Sequence, residues 1–246
     1  MRRTSHRPQL VRAAACAFIF LLAVSAARAS NVTVTVWGTD GVSNWNNQIL
    51  IPIQPDDTFS LSGGTSMAGG WEVTSIEIAG DVDPFVDFGF VVKNTIGVPV
   101  DFNMSISVPV SVNYSSSLIG GSVGITLTDA NFNGSTSVST TGVNPIYVGR
   151  LDGVDELSLF PAAYSLSTGI VGDTVVDSVV AGLPGPTIPA GPLSSTMEVV
   201  LRFTLSPGDL VGMTGFFIAV PEPSSMALAV VGLVGLTGYT VARRRR

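Results

Sequence analysis

The chain has 246 residues, 46% of them hydrophobic and only 12% charged, with one cysteine, one histidine and a formal net charge of −6. That net value hides a division. Residues 30–219 carry three bases (Lys93, Arg150, Arg202) against seventeen acids, a formal charge of −14, while nine of the twelve bases lie in the two ends. So acidic a body repels phosphate backbones, which argues against nucleic acid as a partner.

Arg2, Arg3, Arg7 and Arg12 form a basic start, and Ala13 to Ala26 is an apolar run centred on Phe18 to Leu22. Ala27-Arg28-Ala29 then places small residues at both positions of an A-x-A site. This pattern predicts a secretory signal peptide over 1–29, cut by signal peptidase between Ala29 and Ser30. Cys16 and His6 leave with it. The exported chain then has no disulfide and must be held by its core, for which about 190 residues suffice as one domain.

From Asn31 the chain alternates with period two, Val32, Val34 and Val36 sharing one face. Residues 48–53 read as a second strand, made an edge or a bend by Pro52. The glycine-rich stretch from Ser62 to Gly70 reads as a loop. Residues 71–79 read as a strand with Trp71, Val73 and Ser75 on one face, blurring near Ile78. Residues 81–84 are a turn, 85–92 an apolar central strand and 98–110 a strand paired with it in a hairpin. Residues 123–128 and 135–140 flank a turn-rich connection. Further strands follow at 146–151, 156–160, 174–180, 196–205 and 212–220, with the proline-rich 183–192 as an exposed loop. No segment of the body carries a 3.6-residue stripe. About ten short strands with Gly and Pro turns predict an all-β fold, an antiparallel β-sandwich of jelly-roll-like or immunoglobulin-like kind, over 30–219.

Little of catalytic chemistry is open to this inventory, and the body is expected not to be an enzyme. Nucleophile–histidine schemes and His- or Cys-ligated zinc lack their residues once His6 and Cys16 are gone. Paired carboxylates of the glycosidase kind have candidates in Asp155-Glu156 and in Asp81, Asp83 and Asp87, better read as turns and strand edges. Asp129-x-Asn131-x-Asn133-Gly134 matches the first half of a calcium loop, but the twelfth position is Thr140 rather than glutamate, and an Asn-Gly hairpin explains it without metal. No cofactor is expected. Trp37, Trp45 and Trp71 are candidates for stacking on sugar rings, with core packing as the plainer reading.

The last 27 residues are the most telling. Val220-Pro221-Glu222-Pro223 precedes an uncharged run from Ser224 to Ala242, and Arg243-Arg244-Arg245-Arg246 follows. As a helix the run spans roughly 28 Å, enough for a bilayer's hydrocarbon core. The arginines then stop translocation and stay cytoplasmic. The two prolines resist helix and favour an extended segment. A Pro-Glu-Pro motif, a transmembrane run and an arginine cluster in that order resemble the PEP-CTERM sorting domain of bacterial exported proteins. Residues 84–110 loosely resemble the β-rich bodies of such proteins. The resemblance implies an exosortase as processing partner, a membrane-anchored precursor, and a cell-surface or extracellular-matrix protein linked to exopolysaccharide or biofilm. Two alternatives remain: a carbohydrate-binding module on the same anchor, and a carboxylate-dependent glycosidase.

Overall fold

The computed structural model describes residues 31–66, 70–111 and 113–222. The predicted signal peptide with Ala27, Ala29 and Ser30, the apolar run 224–242, Pro223 and Arg243 to Arg246 lie outside them. No helix of the described residues is long and apolar enough to cross a membrane.

Two antiparallel sheets pack face to face. The first has the order β10-β9-β14-β6-β1-β2, with β8 joined to β14 and β11 to β8. Its strands are β1 (Asn31–Thr39), β2 (Asn44–Pro52), β6 (Val100–Pro109), β8 (Thr136–Ser139), β9 (Tyr147–Leu151), β10 (Val154–Leu159), β11 (Ser165–Thr168) and β14 (Thr196–Leu205). The second has the order β12-β7-β15-β5-β4-β3, with β13 beside β7. It comprises β3 (Thr58–Ser66), β4 (Trp71–Asp81), β5 (Phe85–Asn94), β7 (Ser117–Thr128), β12 (Thr174–Ala181), β13 (Ile188–Ala190) and β15 (Leu210–Pro221).

The period-two pattern is what makes this a sandwich. Alternate residues of each central strand, such as Val32, Val34 and Val36 in β1 or Phe102, Met104 and Ile106 in β6, are fully buried between the sheets. Aromatic rings bridge the layers: Phe90 of the second sheet lies 5.7 Å from Phe102 and 6.5 Å from Phe203 of the first. Gly149 makes room for Phe217, whose ring would come within 2.7 Å of a Cβ there. Between β9 and β10, Asp152 (φ 49°) and Gly153 (φ 84°) form a two-residue hairpin turn that needs both residues at positive φ.

Several expectations are corrected. Residues 85–92 and 98–110 do not form a hairpin: β5 pairs with β4 and β15, and β6 with β1 and β14. Their inward aromatic faces need opposite layers, so the 95–99 connection crosses between sheets. For the same reason β7 and β8 make no hairpin around Asn133-Gly134. The glycine-rich 62–66 is edge strand rather than loop, paired with β4 through a bulge between Gly63 and Thr65. A second bulge, between Val73 and Ser75, reverses the alternation in β4, so Trp71 and Val73 share the buried face with Ile76 and Ile78 rather than with Ser75. The 183–192 loop contains the three-residue β13. Pro52 does end an edge strand, since β2 pairs only with β1.

Candidate functional site

Three places carry the residues singled out by sequence: the end of β15, the Asp129 loop and the outer face of the first sheet.

β15 lies in the middle of its sheet, between β5 and β7. Val211, Met213, Phe217 and Ala219 point into the core. Its pairing with β5 stops at Ile218, opposite Phe85, while its pairing with β7 runs on to Val220 opposite Leu118 and Pro221 opposite Ser117. The strand thus extends past the 219/220 boundary drawn from sequence. The backbone N–H of Ala219 donates to Pro84 O on the β5 side (3.1 Å), and that of Glu222 to Ser116 O on the β7 side (3.3 Å). By strand alternation the position of Pro221 faces the β5 side, beyond the last β5 partner. A residue without an N–H therefore costs no ladder bond there. In sequence, only Glu222 and Pro223 separate β15 from the start of the apolar run at Ser224.

The Asp129 side chain is bound by backbone amides. Asp129 is 1% exposed. Its Oδ2 accepts from the N–H groups of Gly134 and Gly172 (both 2.9 Å), and its Oδ1 from that of Asn133 (3.2 Å). Burial pushes this carboxyl up, and these donors together more than offset that, leaving it below the usual carboxylate range. Asn131 Oδ1 accepts from Asn133 N–H, and Asn133 Oδ1 from Ser135 N–H. The oxygens of Asp129, Asn131 and Asn133 turn to separate amides rather than to one ion. Among the described residues, no cluster of three metal-ligating acids, histidines or cysteines occurs.

Most of the other carboxylates singled out are tied into local structure, while Asp87 of β5 is exposed. Asp155 pairs with Arg150, which also reaches Glu198. Glu156 accepts from Gly191 N–H, Asp81 from Asp83 N–H, and Asp83 from the Tyr114 hydroxyl. Asp152 accepts from the backbone and hydroxyls of Ser194 and Ser195 and from Thr196 N–H. Burial alone would make this carboxyl harder to ionise, and those bonds together more than offset that, bringing its pKa well below the ordinary value.

The three tryptophans separate. Trp71 is 2% exposed and meets Phe102 edge to face at 5.1 Å. Trp45 packs, partly buried, against the core. Trp37 alone points away from it: in β1 the inward positions are Val32, Val34 and Val36, and Trp37 shares the outer face with Thr33, Thr35 and Thr39. It stands opposite Asn46 of β2 and Asn103 of β6, and Asn103 stands opposite Arg202 of β14. An open groove of about 380 Å³ at this end is lined by Trp37, Thr39, Asn44, Asn46, Asp101 and Asn103, among others. Sequence reasoning missed Asn46, Asn103 and Arg202, because only the register of four strands distant in sequence sets them in one row.

A family model described as the PEP-CTERM protein-sorting motif matches residues 219–246, so the chain carries that motif there; the match does not reach the rest of the body. No curated protein matches the sequence. The chain is also similar to one in a structure of the infectious bursal disease virus Gt strain, at 12% identity over 78% of this chain and 60% of that one, with a TM-score of 0.13.

Proposed function

We propose that this is a non-enzymatic structural protein of the cell surface or extracellular matrix, set in exopolysaccharide or biofilm. The PEP-CTERM motif implies export, anchorage in the membrane before processing, and an exosortase as the processing partner. In this reading signal peptidase removes 1–29, the span 224–242 holds the precursor with Arg243 to Arg246 in the cytoplasm, and the exosortase acts at Val220-Pro221-Glu222-Pro223. The observation that carries it is continuity: the motif opens inside β15, a central strand of the sandwich, so the signal for sorting and the core of the cargo are one piece of chain.

The test is the intact mass of the protein from membrane and medium fractions of its native host. A product ending near Val220 to Ser224, without the arginines, is expected. A single species running from Ser30 to Arg246 would leave a plain anchored protein. Replacing Pro221-Glu222-Pro223 by three alanines should preserve export and block the cut.

A further inference from the structure

The outer face of the first sheet has a pattern that packing does not explain. Arg202, Asn103, Trp37 and Asn46 sit at one level across β14, β6, β1 and β2. Three strand spacings make that row roughly 14 Å long. Above it runs Thr204-Asp101-Thr39-Asn44, and below it Val200-Ser105-Thr35-Gln48. A single indole is therefore framed by amides and hydroxyls. Among the described residues, the side chains of Asn46, Asn103 and Arg202 make no hydrogen bond or ion pair, although their neighbours do: Asp101 is bonded by Thr204, and Glu198 by Ser105 and Arg150. Burial and the nearby Arg150 push the Arg202 guanidinium below its usual pKa, against a smaller opposing pull from the charges of Asp155 and Glu198.

We propose that this row is a binding site for a neutral polysaccharide, laid across the strands with one sugar ring on Trp37. A pyranose has an apolar C–H face that stacks on an indole and a rim of hydroxyls that both donate and accept. Asn46 and Asn103 offer both functions, and Arg202 offers donors. The charge of the face selects an uncharged chain. Arg150 and Arg202 here meet Asp101, Asp155 and Glu198, close to balance, whereas the rest of the body holds one cation, Lys93, and fourteen acids. An acidic polysaccharide would be repelled by that body. A second copy of the chain is a poor occupant, because Trp37 and Leu50 are the large apolar side chains on this face that are not buried, and they give no continuous apolar patch.

The matrix reading says where such a ligand is met, but the two fail separately: an uncut protein can bind sugar, and a cut one can fail to. The experiment takes the full-length protein, in a detergent without a sugar headgroup, and measures binding to immobilised β-glucan, mannan and galactan, with alginate as the acidic control. Binding to at least one neutral polymer is expected, weakened roughly tenfold in Trp37→Ala, largely kept in Trp37→Phe, and reduced by Asn103→Ala, with unchanged melting in all three. No binding to any neutral polymer, binding to alginate alone, or full binding by Trp37→Ala would each overturn the proposal. So would a concentration-dependent dimer abolished by Trp37→Ala, which would assign the face to a second copy.

Discussion

On the inner side of β1, Trp71 lies beneath Gly38, so close that a Cβ there would come within 3.2 Å of its indole nitrogen. On the outer side, one residue earlier in the same strand, Trp37 lies half-buried at the surface. Trp71 has hydrophobic neighbours and a buried N–H without a partner; Trp37 is flanked by amides that themselves lack partners. The same side chain thus does opposite things a strand's thickness apart. Inside, shape complementarity is satisfied and polarity is not. Outside, polar groups are gathered around a ring and nothing in the protein uses them.

Substitutions that disturb each side should separate the two roles. Trp71→Ala should cost about 3–5 kcal/mol in urea unfolding, from lost burial plus a cavity. A loss below about 1 kcal/mol would show that Trp71 is not core. Trp71→Phe should cost much less, since it also removes the unpartnered N–H.

Two carboxylates extend the comparison from rings to charges. Asp152 is fully bonded at the turn of the β9–β10 hairpin, and Asp152→Ala should cost about 1–2 kcal/mol in the same assay. Asp209 is buried, with one oxygen bonded to Ser206 and the other unpartnered. Burial raises it, bonds from Ser206 and Thr136 lower it in part, and the charge of Asp129 raises it again, so the folded protein holds its proton more tightly than the unfolded chain does. Asp209→Asn should therefore gain about 1 kcal/mol at pH 7. The signs differ with pH. The depressed Asp152 stabilises above about pH 4, the unfolded value, and that contribution is lost on further acidification. The raised Asp209 disfavours the fold at neutral pH and ceases to do so as pH falls through its folded value. Melting temperature should accordingly rise slightly from pH 7 towards mild acid and then fall. Asp209→Asn should flatten the first arm and leave the second.

The smallest effects belong to the outside. Trp37→Ala should change stability by less than about 0.5 kcal/mol. Addition of EDTA should leave the melting temperature where it was, since the Asp129 oxygens are taken by backbone amides; a clear drop would return that loop to metal binding.

Much of this was legible in the chain, and the parts that were not share a cause. Period two over Val32 to Val36 or Met197 to Leu205 states which residues face inward, because a strand has no other way to bury them. It does not state the partner strand. Phe90 and Phe102 look alike whether their strands pair or face each other across the core, so the hairpin expectation failed there. One bulge at Val73–Ser75 moved Ile76 and Ile78 to the buried face, a change that alternation alone cannot reveal. The tail motif was legible from three contiguous features. The Trp37 row was not, since its members come from residues 37, 46, 103 and 202.

The position of β15 bears on how the protein takes strain. A body tethered through its last residues and gripped on a distant face is pulled along the length of β15, not peeled from an edge. Its hydrogen bonds to β7, and to β5 as far as Ile218, then share the load at once. The point where the tail leaves the body is thus a strand held on both sides, so drawing it out breaks many hydrogen bonds together rather than one after another.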